Sequence, residues 1–193
     1  MTKPPAKAPP VSRRDTTTLH GVFMQVQGVG VLLSGSSGVG KSELALELLT
    51  RGHQLIADDA AEFAVRGHHL LGRCPPLLTG FLEARSLGIL NVRRMFGARS
   101  VARNHWLQLI VHLEMRSERI AVPPALERLH GRRGQREVLG MAVPEISIPI
   151  RLGHNLAVLV EAACRDFKLR QAGYRADEDF AARQLQAIKD ASP

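Results

Sequence analysis

The chain has 193 residues and is 45% apolar, enough for one compact domain with a core. Its 26 Lys and Arg against 18 Asp and Glu give a formal net charge of +8, which suits phosphate-bearing metabolites and acidic proteins as well as DNA. Aromatic residues make up only 4%, too few for base-stacking platforms, so nucleic acid is not expected as a partner. Cys74 and Cys164 are far apart and have no CxxC or Cys/His ligand spacing, which argues against a disulfide or a zinc site. Two free thiols suit a reducing, cytoplasmic setting. No apolar run reaches the length of a membrane span, and the N-terminus lacks the apolar core of a signal peptide.

Residues 1–15, MTKPPAKAPPVSRRD, read as a disordered Pro/Lys/Arg-rich leader, so the folded domain is expected over 16–193. TLHGVFMQVQ alternates as a strand does, and GVGVLLSG follows across a glycine turn, which predicts a hairpin. Ser42 to Thr50 carries leucines at helical spacing, with Arg51-Gly52 as its stop. HQLIADD reads as a short strand ending in carboxylates, and EFAVRGHHLLG as a hairpin turning at Arg66-Gly67. FLEARSLGILNVRRMFG reads as a loop followed by a short helix or strand, and WLQLIVHLE as a strand. Met115 to Arg136 is charged and broken by Pro123-Pro124 and glycines, which predicts a mobile surface segment. EISIPI is a further strand, HNLAVLVEAACRDFKLRQAG a helix ended by Gly173, and Asp177 to Asp190 a final amphipathic helix. The pattern is α/β in one domain, with more hairpins than a plain βαβ succession gives.

Gly35-Ser36-Ser37-Gly38-Val39-Gly40-Lys41-Ser42 fits the phosphate-loop pattern G-x-x-x-x-G-K-[ST], between an apolar strand and a helix. Its glycines let successive N–H groups turn inward as an anion nest, and the helix N-terminus adds partial positive charge. Lys41 is expected to reach the outer phosphates, and Ser42 to offer its hydroxyl to Mg²⁺, a cation that takes oxygen ligands and keeps several waters. The motif announces nucleotide binding and leaves the reaction open.

Asp58-Asp59 follow the loop by one helix and one strand. Two carboxylates there can divide the labour, one arranging a metal and the other accepting a proton from an incoming hydroxyl, although such a pair can also simply open a turn. Glu83 is either a metal ligand or a solvated loop charge. His20 falls on an early strand, where a lone histidine is more often structural, and Arg128 falls in the charged segment, where solvation is the default.

At these residues the chain resembles a known family. GSSGVGKSELALELLTRGHQLIADD is similar to the phosphate loop of the bacterial HPr kinase/phosphorylases, LEARSLGILNVRRMFGARSV to that family's signature stretch, and PIRLGHNLAVLVEAACRDFKLRQAGY to its C-terminal segment. LHGV stands at the family's distance before the lysine, and the resemblance runs from about Thr16 to the end. It implies a P-loop kinase core with a mixed sheet, related to the phosphoenolpyruvate carboxykinase-type nucleotide-binding fold. It also implies an enzyme that uses ATP to phosphorylate a serine of HPr, the phosphocarrier protein of the sugar phosphotransferase system. The same family removes that phosphate by phosphorolysis, taking up inorganic phosphate and releasing pyrophosphate, and its members form hexamers.

The resemblance maps the ATP loop to Gly35 through Ser42 and the catalytic lysine to Lys41. It maps the Mg²⁺ ligands to Ser42 and Glu83, the proton-handling aspartate to Asp59, and further catalytic residues to His20 and Arg128. Leu82 to Asn91 matches the stretch used in both reactions, and Pro149 to His154 the stretch linked to dephosphorylation. Four features depart from the family, one of them FGARSV in place of the commoner FGAGAV. A short leader stands where an N-terminal domain is usual; His154 stands where the family has Arg before NLA; and Asn91 replaces a common Asp. A neutral imidazole holds phosphate less well than a guanidinium, so the departure at His154 bears on phosphorolysis. The alternatives are a P-loop kinase with another protein or small-molecule acceptor, and a nucleotide-responsive regulator without turnover.

Overall fold

The structure is a computed structural model that describes residues 16–115, 130–151 and 153–191; the leader and Arg128 lie outside the described residues. In chain order the elements are β1 (Thr16–Leu19), β2 (Val22–Val26), β3 (Val29–Gly35), α1 (Lys41–Thr50), β4 (Gln54–Ala57), β5 (Ala61–Arg66) and β6 (His69–Arg73). There follow β7 (Phe81–Ala84), β8 (Gly88–Asn91), α2 (Val92–Phe96), β9 (Asn104–Trp106) and β10 (Leu109–Glu114). The described part ends with β11 (Arg133–Val138), β12 (Met141–Pro149), α3 (Leu156–Gln171) and α4 (Ala176–Ala191). A six-stranded sheet runs β11-β12-β10-β3-β2-β4, a four-stranded sheet runs β1-β5-β6-β9, and β7-β8 form a separate hairpin.

The central strands are apolar at nearly every position because both faces of the large sheet are covered. Val31 and Leu33 of β3, with Val111 and Leu113 of β10, pack on Leu44 and Leu48 of α1 and on Val160 and Cys164 of α3. From the opposite face Leu32 and Ile110 join Phe23, Ile56, Phe63 and Leu70, which cements the smaller sheet to the larger. Phe23 and Phe63 meet edge to face there, with centroids 5.0 Å apart. Cys74 and Cys164 are free and buried, and burial pushes the Cys164 thiol up to about 12. Among the described residues no helix is long and apolar enough to cross a membrane.

The direction of the strands positions the functional residues. β3 pairs parallel with β10, and β10 parallel with β12. β2 runs antiparallel to β3 and to β4, so β4 points the same way as β3. The C-terminal ends of β3, β4, β10 and β12, together with the N-terminal end of β2, therefore share one edge of the sheet. Ligand sites of α/β sheets form at such an edge.

The first expected strand is in fact two. β1 pairs with β5 in the small sheet, β2 joins the large one, and His20-Gly21 is the crossover. Gly21 has φ +145°, and a Cβ there would lie 2.3 Å from the Leu33 carbonyl oxygen, so no other residue suits this switch point. The stretch read as a loop from Phe81 contains the β7-β8 hairpin. The segment expected to be mobile from Met115 to Arg136 lies partly outside the described residues, but Arg133–Arg136 belong to edge strand β11 rather than to a loop. The final helix is present, and Phe180, Leu185 and Ile188 are exposed on it.

Candidate active site

β3 delivers the phosphate loop at its C-terminal end. Val39 tucks into the core and anchors the loop from beneath, while Ser36, Ser37 and Gly38 remain exposed. Gly40 caps α1 in a left-handed conformation at φ 95°, so the first turn of the helix, with Lys41 and Ser42, opens directly off the loop. The Lys41 ammonium donates to the carbonyls of Gly35 and Ser36, each at 2.9 Å, which holds it across the loop's mouth.

β4 delivers the two aspartates to the same edge, and their surroundings differ. The Asp58 carboxylate accepts the Glu83 N–H at 2.7 Å, so it pins the β7-β8 hairpin against the end of β4. Burial raises its pKa above the usual carboxylate range; the Glu83 N–H opposes this, and the nearby Asp59 and Glu83 charges reinforce it. Asp59 is the centre of a tight turn closed by the Ala60 N–H to the Asp58 carbonyl at 2.7 Å, and its φ is +59°. Aspartate is one of the few non-glycine residues that visit this region readily. The turn leaves the Asp59 carboxylate exposed at the sheet edge. His20, delivered by the β1–β2 crossover, faces it with Nδ1 3.5 Å from Asp59 Oδ1.

Glu83 lies on the exposed face of β7, alternating with buried Leu82 and Ala84. Gly21, Ser37, Gly38, Gly40, Lys41, Ser42, Glu43, Asp58, Asp59, Glu83 and Arg85 line one cavity of about 240 Å³. Ser42 and Glu83 bring oxygen donors into it, the ligand type Mg²⁺ prefers, and the remaining space suits the waters that ion retains. Among the described residues no group of three or more His, Cys, Asp and Glu converges as a ready-made metal cage.

Of the residues singled out in the sequence, Lys41, Ser42, Asp59 and Glu83 thus share a cavity, and His20 touches it through Asp59. Arg128 is outside the described residues. His154 is exposed in the turn between β12 and α3, its N–H on the Arg151 carbonyl, and it does not line the cavity. Asn91, whose lost charge stood out in the sequence, caps α2 by accepting the Arg94 N–H at 3.0 Å. Sequence reasoning missed two things: that Asp58 holds the hairpin, and that Arg85 reaches the loop, its guanidinium 3.1 Å from the Ser37 hydroxyl. Once the hairpin is recognised, the alternation Glu83-Ala84-Arg85 puts both charges on the loop side.

Known proteins resemble this chain in sequence and in fold. The family described as HPr Serine kinase C-terminal domain matches residues 13–184. HPr kinase/phosphorylases of Xanthomonas campestris pv. campestris (strain B100) and Xanthomonas oryzae pv. oryzae (strain PXO99A) are each 50% identical over 177 residues, 91% of this chain and 56% of theirs. The chain therefore spans about half the length of the curated relatives it matches. The solved HPr(Ser) kinase/phosphatase from Coxiella burnetii superposes with a TM-score of 0.76 at 33% identity, covering 85% of this chain and 98% of that one. A P-loop edge, a hairpin pinned by Asp58 and these matches lead to one assignment: the chain belongs to the HPr serine kinase C-terminal domain family.

Proposed function

We propose that this chain is the catalytic part of an ATP-dependent serine kinase acting on HPr, which also runs the reverse reaction by phosphorolysis. The observation that carries this reading is the meeting of Lys41, Ser42, Asp59 and Glu83 in one cavity. A nucleotide anchor, metal-type oxygens and an exposed proton acceptor together suit transfer, whereas a mere nucleotide sensor has no use for the acceptor. The names of the relatives, HPr kinase/phosphorylase and HPr(Ser) kinase/phosphatase, supply the acceptor protein.

The loop N–H groups and the helix N-terminus hold the phosphates of ATP, and Lys41 neutralises the outer oxygens. Ser42 and Glu83 would hold Mg²⁺, which when bound spreads the charge of the phosphates. Asp59 takes the proton of the attacking serine hydroxyl as its oxygen bonds to the γ-phosphorus and the bond to the bridging oxygen breaks, releasing ADP, while His20 stands beside that carboxylate. In reverse, inorganic phosphate attacks the phosphorus of the phosphoserine, the phosphorus–serine oxygen bond breaks as the protonated Asp59 returns that proton to the serine oxygen, and the new phosphorus–oxygen bond makes pyrophosphate. Arg128 is proposed to add charge to the transferring group. The chain is further proposed to work in the cytoplasm, in keeping with its free thiols, and as a hexamer, as the family resemblance implies.

Incubation with γ-labelled ATP and HPr tests the forward reaction. Label on a serine of HPr is expected. Label appearing only as free phosphate, with none on HPr, would overturn the proposed acceptor.

A further inference from the structure

Four carboxylates, Glu43, Asp58, Asp59 and Glu83, line the cavity against two cations, Lys41 and Arg85. The phosphate-loop motif accounts for Lys41 alone. Arg85 stands just past the end of β7, two residues from Glu83 and on the same face as it. Its guanidinium packs against the loop. A Cβ on Gly38, already at φ +81°, would meet Nη1 at 2.7 Å, Cζ at 3.0 Å and Nη2 at 3.1 Å. Among the described residues Arg85 has no carboxylate partner, and its hydrogen bond goes to the neutral Ser37 hydroxyl at 3.1 Å.

A guanidinium offers five donors in a planar fork, and one hydroxyl uses little of that capacity. A bond to a neutral acceptor is about half as strong as one to an anion, so a phosphate entering the loop outcompetes Ser37 for Arg85. The position along the hairpin selects which phosphate. Glu83, two residues away, is tied by its N–H to Asp58, next to the proton acceptor Asp59. A phosphoryl group placed for transfer must lie beside that acceptor. The geometry points to Arg85 as a substrate-binding residue that leaves the Ser37 hydroxyl and forks onto the terminal phosphate of the nucleotide. This inference rests on the nucleotide-binding reading of the site given above.

Calorimetric titration of the magnesium-supplemented protein with ATP and with ADP separates the possibilities. Arg85→Ala is expected to weaken ATP about 10- to 100-fold and ADP less than about threefold, and Arg85→Lys to recover part of the loss. Arg85→Gln can still donate to Ser37, so it serves as the control for a purely structural tether. It is expected to lose ATP affinity as Arg85→Ala does; wild-type affinity in Arg85→Gln, or equal losses for ATP and ADP in Arg85→Ala, would overturn the inference. Unchanged ATP binding in Arg85→Ala overturns it while leaving the nucleotide site intact. Failure of the wild-type protein to bind ATP at all overturns the underlying reading as well.

Discussion

Replacing Asp59 by Asn is expected to separate the proposed catalytic role from stability at a single atom. The Asp59 side chain is 80% exposed and its contact is His20, itself 86% exposed, at 3.5 Å. A pair so open to water contributes little. The backbone at φ +59° is nearly as tolerable for Asn as for Asp, since both short polar side chains visit the left-handed region. Loss of the charge also relieves the repulsion that helps keep the Asp58 pKa raised. These small terms oppose one another, so the stability change is expected within about 0.5 kcal/mol, or a Tm shift of roughly 2 °C at most. Loss of a general base lowers the transfer rate by about 10²–10⁴-fold, or roughly 3–5 kcal/mol of barrier. The catalytic effect therefore exceeds the structural one several times over. Initial rates at saturating ATP, with calorimetric ATP affinity and thermal melting on the same preparation, measure all three quantities. A wild-type rate refutes the role of Asp59. A fall in Tm of many degrees refutes the argument in another way, because it makes Asp59 a structural residue.

Lys41→Ala is expected to lose both ATP affinity and transfer, since the ammonium lies at the loop's mouth; unchanged affinity in calorimetry would contradict the loop assignment. Asn91→Ala should cost about 1 kcal/mol through the lost cap of α2 while Asn91→Asp leaves the Tm nearly unchanged, and equal melting of all three forms would remove the cap from the account. Glu161 of α3 accepts two bonds from Arg51 and one from His53, and the Arg51 guanidinium foremost holds its pKa at about 2 against the ordinary 4.5. A depressed pKa contributes stability that is fully present above the unfolded value and is lost as pH falls from about 4.5 toward 2. Discounted for the partly open Arg51, Glu161→Gln should lower stability by roughly 1–2 kcal/mol at pH 7, with the gap to wild type narrowing below pH 4.5. A gap in urea midpoints that stays constant from pH 6 to pH 3 would show that the charge is not what matters.

The parts of this site that were legible in the sequence are those with local signatures. The phosphate loop declares itself because nest, helix start and lysine are all encoded within Gly35 to Ser42, and β4 declares itself by an apolar run ending in Asp58-Asp59. What stayed hidden depends on pairing between distant residues. Thr16 to Val26 is strand-forming on both sides of Gly21, so nothing local reveals that this glycine sends the chain from one sheet to another. The β7-β8 hairpin escaped because one face is exposed and carries Glu83 beside Phe81 and Ile89, so the apolar signal is half what a core strand gives. β11 escaped because Arg133, Arg136 and Glu137 look like loop charges, although charge is what an edge strand uses to discourage further pairing. Arg85 and the tether from Asp58 to Glu83 became visible only with that hairpin in place.

The central claim is that one cavity, with Asp59 as its proton handler, runs transfer in both directions. It is tested most directly by giving HPr labelled on its serine phosphate to wild-type protein and to Asp59→Asn, each with inorganic phosphate. The account predicts labelled pyrophosphate from wild type and a matching loss of forward and reverse rates in the variant. Release of the label as free phosphate, or a variant that loses transfer while keeping phosphorolysis, would contradict it.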